Sequence, residues 1–145
     1  MLRQLIIGSA VSLCNIAVHA ATMMVIIRAK DVIYANVWRH PALRLVGIMV
    51  AAVSILMAAH LLEVAIWAVA YWLVGMTPQG TENLYFAFVN YTTLGYGDII
   101  PVARWRLLGP LTAMNGVLLF GWSTAVIYHV LRASLAPDEE RPLRP

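Results

Sequence analysis

The string Thr92-Thr93-Leu94-Gly95-Tyr96-Gly97-Asp98 places two hydroxyls, two glycines at alternate positions and a terminal acid side by side. Gly95 and Gly97 lack a Cβ, so they permit the backbone angles that alternating carbonyl orientation requires. Backbone oxygens are ligands of the kind that can replace the hydration shell of a cation. The Thr93 hydroxyl is a further oxygen, and Asp98 sets a carboxylate at the other end.

A second group lies in apolar surroundings. Glu63 is the one charged side chain within residues 45–74, and a bare charge inside hydrocarbon costs several kcal/mol, so it needs a partner or a proton. At ~1.5 Å per residue, Glu63 sits roughly 16 Å from the end of its helix, about as deep as Asn15 on the antiparallel preceding span, with His60 and His19 level with each other. Gly8, Ser12, Asn15, His19 and Thr22 form a polar stripe at heptad-like spacing that should face protein rather than lipid. Two uses are open to these groups. They could fasten helices together, or Glu63 or a histidine could bind a proton and bias the molecule between states. A metal held by His19 and His60 lacks a defined third ligand.

The elements that carry these residues follow from composition. Of 145 residues, 61% are hydrophobic and 12% charged, with a mean hydropathy of +0.77, outside the range of soluble globular domains. Residues 5–27, 45–74 and 107–131 are long apolar runs, each able to cross a bilayer as a helix. Pro110 falls in the first turn of the third, where its missing N–H does least harm. The intervening stretch is too apolar in its middle for an exposed loop. Residues 82–92 predict a short amphipathic helix, with Thr81 as N-cap and Glu82 complementing the helix dipole.

The loop 28–44 carries Arg28, Lys30, Arg39 and Arg44, and the tail adds Arg132, Arg141 and Arg144, which predicts an outside N-terminus and a cytoplasmic C-terminus. Arg104 and Arg106 depart mildly from this pattern. Arg3, an apolar stretch and Ala17, Ala20 and Ala21 imitate a signal peptide, but the run continues to Ile27 and meets basic residues that oppose translocation. Tyr34 and Trp38 on one side, and Tyr71, Trp72 and Trp105 on the other, fit aromatic belts. Residues 31–40 read as an interfacial helix, and the tail from 132 as short and mobile. The net charge of +3 and pI near 9.4 reflect basic residues scattered at span ends, not a nucleic-acid patch. The single cysteine, Cys14, excludes an intrachain disulfide and reads as a packing residue.

The seven-residue string resembles the selectivity filter of the potassium-channel pore-domain family, T-V-G-Y-G, with Leu94 in place of Val. The likeness covers residues 45–131 and is to small bacterial-type pores of two helices, with residues 1–44 adding an N-terminal helix and cytoplasmic segment. It implies an all-α membrane protein with three transmembrane helices. An outer helix (45–74) would precede a re-entrant pore helix (82–92) and filter loop (93–97), then an inner helix (107–131), four copies closing a homotetrameric pore. By this resemblance Thr93, Leu94, Gly95, Tyr96 and Gly97 would bind potassium ions, with Tyr96 packed behind the strand and Asp98 at the outer mouth. Gly116 and Gly121, in Gly116…Phe120-Gly121, look like the family's hinge. Val117, Phe120, Thr124 and Tyr128 recur on one helical face that would line the cavity, with Tyr128 a gate candidate, although ordinary helix packing gives the same spacing. Some family members brace the filter with a pore-helix acid and a hydrogen-bonding Trp, where this chain has Val89 and Phe86. Asn115 could reach the cavity or cap a helix contact.

These readings favour a passive potassium channel in a plasma membrane, the bacterial inner membrane, whose partners are its own copies, lipid and K⁺. No cofactor beyond the permeant ion and no nucleic acid are expected. Steep voltage gating is disfavoured, since no span repeats Arg or Lys at every third position. Enzyme chemistry is disfavoured because no nucleophile, base and orienting group occur together outside the spans. A less selective cation channel, an uptake-transporter subunit and an accessory subunit of another channel are the rivals.

Overall fold

The computed structural model describes residues 1–36, 41–78 and 82–135. Four α-helices appear there: α1 (Leu2–Asn36), α2 (Pro41–Val74), α3 (Asn83–Tyr91) and α4 (Leu108–Leu135), with a 3-10 turn at Ala103–Trp105 before α4. Among the described residues there are no strands. Three helical stretches, Leu2–Ala29, Ala42–Val74 and Ala103–Leu135, are long and apolar enough to cross a membrane. α1 packs on α2 and α4, and α3 lies against α2 and α4.

The ends of the helices follow local chemistry. No glycine or proline interrupts residues 28–36, so α1 continues to Asn36, and the separate interfacial helix expected at 31–40 does not form over 31–36. Residues 37–40 lie outside the described residues. Pro41 opens α2, where its lost N–H had no helical partner. α2 stops because Gly75 takes a left-handed φ of 61°. The Met76 N–H then reaches the Tyr71 carbonyl at 3.0 Å and the Gly75 N–H the Trp72 carbonyl at 3.2 Å, a Schellman closure. At α3 the N-cap is Glu82, without a side-chain capping bond, so the expectation for Thr81 is not met; Thr81 itself lies outside the described residues. α4 runs to Leu135, four residues past the expected end of its span.

Two apolar clusters hold the bundle. One surrounds α3 and includes Val64, Trp67, Tyr71, Met76, Phe86, Tyr91 and Leu108. The other, at the far end, joins Ile26, Ile48, Ala52 and Leu56 to Val126 and Val130. Tyr71 is fully buried and hydrogen-bonded to Thr112, which corrects its placement in an aromatic belt. Trp72 is 69% exposed, as a belt residue should be. Cys14 is exposed rather than packed within the chain.

Candidate functional site

The loop after α3 is fixed at both ends by backbone bonds. Thr93 N–H donates to the Asn90 carbonyl (3.0 Å), while Leu94 and Gly95 N–H both reach the Val89 carbonyl (2.9 and 3.3 Å). On the return, Val102 N–H bonds to the Met76 carbonyl at 2.9 Å, and Leu107 N–H donates to Gln4 Oε1 at 2.8 Å, tying the entry of α4 to α1. Between these anchors, Thr93, Gly95 and Gly97 have φ of 60°, 56° and 76°, a left-handed residue at every second position. Thr93 is a non-glycine in that region, a placement that persists only when its surroundings hold it. Among the described residues no donor is bonded to the carbonyls of residues 93–97.

The loop is uncovered. Leu94 is 54% and Tyr96 67% exposed, so within one chain nothing packs Tyr96 behind the strand. Tyr85, on α3, donates from its hydroxyl to Asp98 Oδ2 at 2.7 Å, next to the Phe86 position where a bracing side chain was sought. Tyr85 lies outside the spanning helices, and this hydrogen bond to the Asp98 carboxylate raises its phenol above the ordinary value near 10.

α4 has two faces. Thr112, Asn115, Gly116, Leu119, Ser123, Val126 and Val130 are buried against α1, α2 and α3. Val117, Phe120, Thr124 and Tyr128 are all exposed on the other, the face expected to line a cavity. Gly116 sits so close to the end of α3 that a Cβ there would overlap the Tyr91 carbonyl oxygen, whereas a Cβ on Gly121 would meet nothing. The helix is continuous through both.

Behind the loop, the intramembrane polar residues meet. Glu63 is fully buried and accepts at Oε1 from His19 Nδ1 (2.9 Å) and at Oε2 from the Tyr91 hydroxyl, with His60 Nδ1 also 2.9 Å from Oε2. Ser123 Oγ lies 2.9 Å from His60 Nε2 and 3.4 Å from His19 Nε2. Asn15 Nδ2 donates to the Glu63 carbonyl (3.2 Å) and to Asn115 Oδ1 (3.1 Å), which also accepts from Trp67 Nε1 (3.0 Å). Asn115 therefore serves a helix contact rather than the cavity face. The depth argument paired the right residues of α1 and α2, and His19 and His60 stand 5.4 Å apart, ring centre to ring centre. Tyr91, Ser123 and Tyr85 went unrecognised in the sequence. Ser123 was within reach, since it continues the three-and-four spacing of Thr112, Asn115 and Leu119.

The Phe120 ring lies 4.8 Å from His60 and 5.4 Å from Tyr91, centre to centre, so the cluster touches the edge of the uncovered face of α4.

Comparison with known proteins gives one match. No curated protein and no solved structure matches this chain. A family model described as ion channel matches residues 58–133, from the middle of α2 through α3 and the glycine loop into α4. The matched segment is the same span-loop-span arrangement, with a short helix entering a glycine loop whose carbonyls have no bonded donor among the described residues. This chain is a membrane protein belonging to the ion channel family of two-helix, potassium-channel-type pore domains.

Proposed function

We propose that the chain is one subunit of a passive, potassium-selective homotetrameric channel, with the TTLGYGD loop as its filter. The observation that carries this reading is the loop itself. It alternates left-handed residues at Thr93, Gly95 and Gly97, its carbonyls have no bonded donor among the described residues, and it is exposed, as is one face of α4. One chain supplies one strand of oxygens, and a ring around a dehydrated cation needs several, which four copies about an axis provide. The ions would be held by Thr93, Leu94, Gly95, Tyr96 and Gly97, with Asp98 at the outer mouth. Val117, Phe120, Thr124 and Tyr128 would face the cavity, and Gly116 and Gly121 would supply any bend of the inner helix. We place the protein in a plasma membrane, N-terminus outside and C-terminus cytoplasmic, on the distribution of Arg and Lys.

A less selective cation channel is the second reading. It draws on Val89, which brings no hydrogen-bonding brace to the filter, and on a single Tyr85–Asp98 bond in its place. Purified protein in liposomes distinguishes the two under potassium and then sodium gradients, with barium as blocker. Potassium-selective, barium-sensitive flux is expected, and Gly97→Ala should abolish it because an L side chain is strained at a φ of 76°. Equal sodium flux would favour the second reading. A tetramer that passes no ions would point to an accessory subunit.

A further inference from the structure

The polar layer between the two apolar clusters brings three imidazole and carboxylate ligands together in a span interior. We propose that His19, His60, Glu63 and Tyr91 form a site for one divalent transition-metal ion of the zinc class per subunit, with Ser123 orienting both imidazoles. The proposal is independent of whether the pore conducts.

Geometry supports four ligands from three helices. His60 and Glu63, three residues apart, share one face of α2, His19 comes from α1 and Tyr91 from the last turn of α3. Ligand atoms of His19, His60 and Glu63 all lie within 4.8 Å of one another. Tyr91 Oη is 2.9 Å from His60 Nδ1 and is bonded to the Glu63 carboxylate. Zinc bonded to N and O at roughly 2.0–2.1 Å sets tetrahedral neighbours about 3.3 Å apart, so small ring rotations suffice to admit the ion.

The outer shell fits as well. Both Nδ1 atoms face the carboxylate, and both Nε2 atoms face Ser123 Oγ, at 2.9 and 3.4 Å. With metal on Nδ1, each Nε2 carries a proton, and the two lone pairs of one hydroxyl accept both. Metal-bound histidines almost always donate their second N–H in this manner, which fixes ring orientation.

Charge also matches in the loaded site. A bound dication would be offset by the Glu63 carboxylate and a Tyr91 phenolate, the tyrosine hydroxyl giving its proton to solvent as the ion binds, so an interior of low dielectric holds no excess charge. The ion would tie α1 and α2 to the end of α3 from which the glycine loop starts.

The test uses the full chain in detergent, stripped with chelator and then given Co²⁺ as a spectroscopic probe or Zn²⁺. Expected are one Co²⁺ retained per subunit after dialysis, the intense visible absorption of tetrahedral coordination, bleaching by Zn²⁺, and proton release on Zn²⁺ binding in weak buffer. Glu63→Gln and His19→Gln should abolish the absorption. His129→Gln, on an exposed position of α4, should leave it unchanged. Tyr91→Phe preserves the ring packing, so it reports even if the other variants fail to fold: binding should weaken by more than the about tenfold to a hundredfold that loss of an outer-shell partner costs, and one proton fewer should be released per Zn²⁺. Failure to retain stoichiometric metal, an absorption unchanged in Glu63→Gln, or a proton release unchanged in Tyr91→Phe would overturn the proposal.

Discussion

The polar cluster behind the loop and the loop itself use the same kinds of atoms in opposite ways. Glu63, Asn15 and His19 are buried to 0%, 0% and 1% exposure, and their bonds close within one chain. Leu94 and Tyr96 are exposed, and the carbonyls of residues 93–97 have no bonded donor among the described residues. A polar group in an apolar medium must find a partner. Most groups of the cluster have found their partners by folding, Asn15 Oδ1 and Asn115 Nδ2 excepted, whereas the loop, read as a filter, finds them only in ions and in further copies of the chain. On the proposed reading, one region supports the protomer and the other the assembly. They touch at Tyr91, which bonds to Glu63 at the last turn before the loop.

That division makes graded predictions. The largest expected effect on the protomer is from Glu63→Ala, which leaves His19, His60 and Tyr91 without their acceptor. Breaking a buried ionic contact in this way costs about 3–5 kcal/mol, read as a fall in the melting temperature of metal-free protein in detergent. An unchanged melt would mean that the cluster does not support the fold. Tyr91→Phe removes one hydrogen bond to a charged acceptor and should cost about 1.5–3 kcal/mol in the same assay. Gly116→Val forces a side chain onto the Tyr91 carbonyl and should cost about 1–3 kcal/mol, while Gly121→Val, with open space around it, should be nearly silent. Equal losses at the two glycines would break the distinction between the faces of α4. Smallest for the protomer is Tyr96→Ala, within about 0.5 kcal/mol because the side chain is 67% exposed, although the fraction of tetramer after crosslinking should fall. If the melt falls while assembly is untouched, Tyr96 belongs to the protomer's own core.

Much of this arrangement was legible in the sequence. Rise per residue alone put Glu63 level with Asn15 and His60 level with His19, and the bonds from Asn15 Nδ2 and His19 Nδ1 to Glu63 follow that ladder. The polar stripe on α1 pointed inward along most of its length, with Gly8, Asn15 and His19 buried and Ser12 and Thr22 half-buried. Less legible was anything set by approach between elements. Tyr71 looked like an interfacial aromatic because it stands beside Trp72, yet the return of the chain through Met76 buries it. Tyr91 looked like the end of an amphipathic helix, and only the crossing of α3 over α2 directs its hydroxyl at Glu63. The family's filter braces were matched to Val89 and Phe86, which lack the acid and the hydrogen-bonding Trp, and the sequence did not show that Tyr85 bonds to Asp98 instead.

The sequence by itself determined that the chain has three apolar runs of spanning length, a glycine-alternating loop between the second and third, and an intramembrane acid in need of a partner. These are local properties: hydropathy over a window, the absence of a Cβ at two positions, and the cost of one charge in hydrocarbon. Tertiary structure alone decided which groups satisfy that acid and which face of α4 is left uncovered. The physical reason is that both outcomes depend on helix crossings, where Gly116 lets α4 approach the Tyr91 carbonyl and brings Ser123 onto the two histidines.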